Sequence, residues 1–191
     1  MSTIRLTIIL GSVTAPGRLH RAVHEAVSRL DGEAVSARVI DLAHTRIALA
    51  DGRPPEQLGD DTAEVITAVA ESDAVVLATP VYRGSLTGSL KNLLDQIPVP
   101  ALRDTPTAIV SMGASDHHFL GAERHLRDVL AFFGAVVAPN AVYLTAADFS
   151  DGRPTEAAEE TLDAALRSVI ELAQLLDHAA FGPVPLAARR R

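Results

Sequence analysis

Short apolar runs alternate with amphipathic stretches along this chain. Thr3 to Leu10 is rich in Ile, Leu and Thr and ends at Gly11, which predicts a buried strand. After a loop holding Pro16 and Gly17, Leu19, Ala22, Val23, Ala26, Val27 and Leu30 recur at helical spacing. Val35 to Leu42 reads as a weaker strand, and Ala43 to Gly59, with Gly52, Pro54 and Pro55, as a long loop. Asp61 and Glu64 have capping-box spacing ahead of a helix whose inner face is Val65, Ile66 and Val69. Asp73 to Thr79 is continuously apolar, as a central parallel strand requires. Leu86, Leu90, Leu93, Leu94 and Ile97 form the stripe of a third helix that stops before Pro98. Thr107 to Met112 predicts the next strand. Phe119, Ala122, Leu126, Val129, Leu130 and Phe133 predict a helix closed by Gly134. Ala135 to Leu144 predicts a last strand, in which Pro139 marks an edge or an irregularity. Thr155 is placed to cap a long helix with Leu162, Leu166, Val169, Ile170, Ala173 and Leu176 inside.

Strand and helix in strict alternation imply an α/β architecture: a parallel sheet with helices on both faces. No repeat, low-complexity tract or linker interrupts it. One domain over residues 1–180 is expected, followed by a flexible tail over residues 181–191. The length of 191 residues and the 48% of apolar residues suit one domain with a proper core. A formal charge of -7 repels phosphate backbones, and 4% aromatic residues provide no stacking platform, so nucleic acid is not expected as a partner. The Arg189-Arg190-Arg191 cluster reads as a solvated tail. The chain has no cysteine, which excludes disulfides, thiolate metal sites and a thiol nucleophile and suits the cytoplasm. Ile4 to Leu10 is far too short to span a bilayer, so no membrane association is expected.

In an open parallel sheet, ligands sit beyond the carboxyl ends of the strands. Three loops there are informative. Gly11-Ser12-Val13-Thr14-Ala15-Pro16-Gly17-Arg18-Leu19 leads into a helix N-terminus, where free N–H groups favour an anion. It is neither a Walker loop nor the dinucleotide fingerprint, because Val13 and Pro16 stand where the latter needs glycine. A hydroxyl-rich turn of this kind suits a monoester phosphate; read alone, a plain turn is the simpler alternative. In Thr79-Pro80-Val81-Tyr82-Arg83-Gly84-Ser85, Gly84 allows close backbone approach to a flat ligand, and Ser85 can cap the following helix. The alternative is a helix cap with an incidental tyrosine. Ser111-Met112-Gly113-Ala114-Ser115-Asp116-His117-His118 supplies small residues and free N–H groups. Adjacent histidines seldom converge on one metal, so no metal role is assigned to His117 and His118. His20 and His24 have chelate spacing without an evident third ligand and read as polar surface positions.

Together these loops resemble those of the NAD(P)H-dependent FMN reductases of the flavodoxin-like superfamily. The branch is similar to the reductase components of two-component alkanesulfonate and methanesulfonate monooxygenases. The resemblance runs from Ile4 to about Leu176 and is most specific at Ala78 to Asp95. There Tyr82, Thr87-Gly88, Lys91 and Leu94-Asp95 match a Pro-x-Tyr loop, a Ser/Thr-Gly pair and a Lys-x-x-Leu-Asp helix. In the first loop Gly11-Ser12 is kept, while Thr14 stands for the family's arginine and Gly17 for its later serine; Arg18 is the substitute charge. The resemblance implies a three-layer sandwich with a five-stranded sheet in the order 2-1-3-4-5.

It also implies FMN as cofactor, with NADPH or NADH as reductant. Ser12, Gly17, Arg18 and Leu19 would hold the phosphate. Pro80, Val81, Tyr82, Arg83, Gly84 and Ser85 would wrap the ribityl chain and one ring edge, and Gly113, Ala114 and Ser115 would face the pyrimidine edge. Hydride transfer to a flavin needs stacking and orientation more than an acid or base, so no catalytic side chain is assigned. Reduced FMN leaving for a partner flavin-dependent monooxygenase is the first reading. A tightly bound FMN that reduces quinones or azo compounds is the second. A flavodoxin-type carrier is the third, and the few aromatics and moderate charge argue against it. The family forms homodimers or homotetramers, and the loop Ala43 to Gly59 is the candidate for reaching a partner subunit. Arg83 is open to two readings, as the partner of a nucleotide 2′-phosphate or as a surface residue.

Overall fold

The computed structural model describes residues 3–14, 16–30, 34–176 and 181–188. Parallel strands β1 (Ile4–Leu10), β2 (Val35–Asp41), β3 (Ala74–Pro80) and β4 (Pro106–Met112) form the sheet with two short segments, β5 (Val136–Val137) and β6 (Val142–Leu144). The order is β2-β1-β3-β4-β5, with β6 also on β4, so the last position is one broken strand. This is the flavodoxin-like arrangement expected from the sequence.

The break follows from Pro139, which cannot donate to the ladder. The freed carbonyls of Ala138 and Pro139 accept hydrogen bonds from Arg127 Nη2 at 3.0 and 2.9 Å. Arg127 is itself oriented by Glu123 at 2.8 Å.

Period-two alternation sorts the strand residues into two cores. Leu6, Ile8, Leu10, Val76, Ala78, Ala108 and Val110 pack against α1 (Arg18–Ser28) and α5 (Glu156–Leu176). Ile9, Val75, Leu77 and Ile109 pack on the other face against α2 (Thr62–Ala70), α3 (Gly88–Leu94) and α4 (Gly121–Phe133). A sheet buried on both faces explains the unbroken apolar run Ala74 to Ala78 of β3. Among the described residues no helix is long and apolar enough to cross a membrane.

Two expected caps are realised differently. Asp61 precedes α2 but makes no side-chain cap. Its carboxylate accepts from Arg46 N at 2.7 Å, and Glu64 pairs with Arg38 of β2. The adjacent Asp60 accepts from Ala48 N at 2.6 Å and Thr62 N at 3.0 Å. These bonds, with Asn92 and Gln96 donating to Ala48 O at 2.8 and 2.9 Å, tie the 43–50 stretch to α2 and α3. At α3, Thr87 rather than Ser85 is the cap, accepting from Leu90 N at 3.2 Å. The last helix is capped as expected, with Thr155 Oγ1 accepting from Ala158 N at 3.4 Å.

Beyond α4, Gly134 takes the left-handed conformation at φ 76° that ends the helix. Residues 181–188 lie against this end: Phe181 N donates to Asp104 at 3.1 Å, and Pro185 packs on Gly134.

Candidate functional site

The strand order reverses at β1, so the carboxyl ends of β1 and β3 mark the topological switch where a ligand crevice opens. Gly11 joins the two sides. Its N–H donates to Ala78 O at 2.7 Å, and its carbonyl accepts from the hydroxyls of Thr87 and Ser89. A Cβ at Gly11 would sit 2.9 Å from Leu90 Cβ, so only glycine lets the first loop lie on α3.

From there the loop runs to α1. Ser12 Oγ and Thr14 Oγ1 share a hydrogen bond of 2.8 Å, and Thr14 N donates to Ser12 Oγ at 3.3 Å. Gly17 is the N-cap of α1, in extended backbone, with no side-chain cap and no acidic residue in the first turn. The first-turn N–H groups and the positive end of the helix dipole are therefore open to an external anion. Arg18 adds a guanidinium, held 5.7 Å from the Phe149 ring centroid. Phe149 belongs to a small hairpin of β7 (Phe149–Ser150) and β8 (Arg153–Pro154), which packs beside α1. Its turn, Asp151-Gly152, has positive φ at both positions.

A cleft of about 150 Å³ opens at this end. It brings together Ser12, Gly17, Arg18 and Leu19 from the first loop and Pro80 and Tyr82 from the second. Leu10 and Met112 add apolar surface, and Asp41 and His20 complete one wall. The remaining expected positions, Val81, Arg83, Gly84, Ser85, Gly113, Ala114 and Ser115, do not line this cleft. They build the two neighbouring turns.

Tyr82 and Ser85 exchange backbone hydrogen bonds of 2.9 and 3.1 Å around Arg83 and Gly84, at φ 53° and 76°. Both central residues are left-handed, which glycine adopts freely and arginine at a cost of about 1 kcal/mol. The turn is braced from α4. Gly84 O lies 2.5 Å from where a Gly121 Cβ would be, and Ser85 Oγ is 2.8 Å from His125 Nδ1. Tyr82 is left 47% exposed at the cleft edge. Val81 N donates to Met112 O at 2.8 Å, joining this turn to the next.

In the third turn, Gly113 N donates to Leu144 O at 2.9 Å, and the Tyr143 hydroxyl donates to Ser115 O at 2.6 Å. A Gly113 Cβ would clash with that hydroxyl at 1.9 Å. Burial raises the Tyr143 phenol pKa, and the Asp116 charge adds to the shift, so the hydroxyl keeps its proton as a donor. His117 and His118 sit exposed on a 3₁₀ turn, Asp116–His118.

His20 faces the cleft rather than the open surface. Its Nε2 lies 3.4 Å from Asp41 Oδ2, and its ring meets the His24 ring at a tilt of 37°, 4.2 Å between centroids. Among the described residues no group of three His, Asp or Glu side chains is arranged to hold a metal. Sequence reasoning missed Asp41, Met112, Phe149, Gly121, His125 and Tyr143. Asp151-Gly152 carried a hairpin signal. The contacts of Gly121, His125 and Tyr143 exist only between distant segments.

A parallel sheet in this order, with an open helix N-terminus at its switch point and closely tied turns beside it, defines a flavodoxin-like domain with an anion-accepting crevice. Within that class the chain belongs to the NADPH-dependent FMN reductase family, which it matches over residues 4–149. It is 37% identical to the NAD(P)H-dependent FAD/FMN reductase of Geobacillus thermodenitrificans over 117 residues, covering 61% of this chain and 63% of that protein. It is 32% identical to the NADH-dependent FMN reductase SfnF of Pseudomonas fluorescens over 171 residues, covering 89% of this chain and 90% of that one. A solved NADH:FMN oxidoreductase, EMOB, in its apo form superposes with a TM-score of 0.73 at 22% identity, covering 91% of this chain and 90% of that one. The chain is thus an oxidoreductase of the NAD(P)H-dependent FMN reductase type.

Proposed function

We propose that this chain reduces FMN with NADH or NADPH in the crevice over β1 and β3 and releases it to a flavin-dependent monooxygenase. The single observation that carries the site is the uncapped N-terminus of α1, opening into a cleft beside hydroxyls and a guanidinium. FMN ends in a phosphate monoester, and these groups are what such an anion needs. Ser12, Gly17, Arg18 and Leu19 would hold the phosphate. The turn from Pro80 to Ser85 would wrap the ribityl chain and one ring edge. Gly113, Ala114 and Ser115 would meet the pyrimidine edge, where backbone N–H groups favour negative charge.

Bound there, the flavin supplies the chemistry by accepting a hydride from nicotinamide. The protein's part is to bind, orient and exclude water. The braced turn at Arg83-Gly84 and the Met112–Val81 bond support orientation, because they fix the backbone that a flat ring would lie against. Release is supported by a phosphate site with one arginine rather than several.

A homodimer or homotetramer belongs to this reading, with the loop Ala43 to Gly59 as the reach to a neighbour. So do a cytosolic setting, where reduced nicotinamides are available, and a single domain over residues 1–180. Deleting Gly52 to Pro55 should disturb assembly or turnover; unchanged size and rate would remove that role from the loop.

The test is steady-state oxidation of NADH and NADPH with FMN, FAD and riboflavin. Turnover should depend on added free FMN. Turnover that ignores added FMN but requires a quinone or azo acceptor would replace release with a resident flavin.

A further inference from the structure

We infer that Asp41 limits the affinity of the phosphate end of the cleft and so keeps FMN exchangeable. The inference rests on the placement of the FMN phosphate proposed above. Asp41 ends β2, paired in register with Leu10, and so stands directly beside the first loop. Its side chain is 14% exposed, and it is the one carboxylate among the described residues lining the cleft. The cleft has a single arginine to set against it, Arg18.

A phosphate monoester carries close to two negative charges near neutral pH. A fixed carboxylate sharing its cleft opposes it, with partial burial lowering the effective dielectric. Beside neutral imidazoles, the local hydrogen bonding does not require that charge. Oδ1 accepts from Ala43 N at 2.9 Å, which an asparagine oxygen would do equally well. Oδ2 faces His44 Nδ1 at 3.0 Å and His20 Nε2 at 3.4 Å, and an asparagine amide can donate to a neutral imidazole at the same place. The full charge therefore weakens phosphate binding without a structural need. That is useful where a reduced flavin has to leave and a new oxidised one has to enter.

The experiment is a fluorescence titration of FMN and of riboflavin, which lacks the phosphate, at pH 8. The proteins are wild type, Asp41→Asn and Arg18→Ala. Asp41→Asn should bind FMN about three- to tenfold more tightly, as expected for one charge removed several ångströms from a dianion. Riboflavin binding should be unchanged. The FMN gain should shrink at about 0.5 M salt, and FMN dissociation in stopped flow should slow by a similar factor. A residue with only a structural role would weaken both flavins instead. If Asp41→Asn does not fold, Asp41→Ser keeps a short acceptor for Ala43 N and stands in for it. Unchanged or weaker FMN binding by the variant, with FMN binding still lost selectively in Arg18→Ala, would overturn the role of Asp41 and leave the functional reading intact. Equal tightening of both flavins would overturn it too. Equal binding of FMN and riboflavin by all three proteins would mean that no phosphate sits in this cleft, and both readings would fall.

Discussion

Gly121→Ala isolates the brace beneath the Tyr82–Ser85 turn. Gly121 opens α4, where alanine is a better helix former than glycine by up to about 1 kcal/mol. Propensity alone therefore says the variant should be stabilised. The contact says otherwise: the new Cβ would lie 2.5 Å from Gly84 O, 3.0 Å from its carbonyl carbon and 3.2 Å from its Cα. Ordinary contact begins near 3.4 Å, so backbone must move by about 0.9 Å. All three neighbours are backbone atoms of a turn already in left-handed geometry, and no flexible side chain can yield instead. Overpacking of this kind costs about 1–3 kcal/mol, which outweighs the gain in propensity. The larger effect is on turnover, because a misplacement of about 1 Å can cost up to about 100-fold in rate. The assay is kcat/KM for NAD(P)H oxidation with saturating FMN, set beside a denaturant melt. A loss of about 10-fold or more in kcat/KM with a modest loss of stability is expected. Full activity, or a stabilised protein, would refute the claim that this turn positions the flavin.

Other perturbations reach the supports around the site. Gly134→Ala places a Cβ 2.3 Å from Pro185 Cγ at a left-handed φ of 76°; a melt should show a loss of at least about 1 kcal/mol. Tyr143→Phe removes the donor to Ser115 O and should cost about 1 kcal/mol, with faster hydrogen exchange in the 113–116 turn as the readout. Asp60→Ala removes the acceptor for Ala48 and Thr62 N–H and should cost about 1 kcal/mol at neutral pH. Desolvation raises the Asp60 pKa, but hydrogen bonds from Thr62 and Ala48 outweigh it and hold the folded-state value below the ordinary carboxylate range. A depressed folded pKa means the stabilisation is present above the unfolded value and fades as pH falls through the folded one. The gap between wild type and Asp60→Ala in denaturant melts should therefore close below about pH 4 and stay open at pH 7.

The parallel sheet was legible because β3 is buried on both faces and reads as an unbroken apolar run over Ala74 to Ala78, while β1 and β4 are apolar over most of their length. Pro139 correctly signalled trouble in the last strand, since a missing N–H is a local property. The caps were less legible. Spacing made Asp61 and Glu64 a capping box, but tertiary partners outbid the helix end: Arg46 N took one carboxylate and Arg38 the other. Ser85 likewise went to His125, leaving Thr87 to cap α3. Of the candidate site, the first loop and Pro80 to Ser85 were visible as a hydroxyl-rich turn and a Pro-x-Tyr loop. Asp41 was not, because strand register, not spacing, brings it beside Leu10. Gly121 and Tyr143 escaped for the same reason. Their importance lies in a close approach to Gly84 and Gly113 across more than one element.

The most direct measurement is a crystal structure of the chain with FMN. The phosphate is expected within hydrogen-bond distance of the first-turn N–H groups of α1 and of Ser12 or Arg18, with the ring lying between the Tyr82–Ser85 and Gly113–Ser115 turns. A phosphate anywhere else on the molecule, or a ring that touches neither turn, would contradict it.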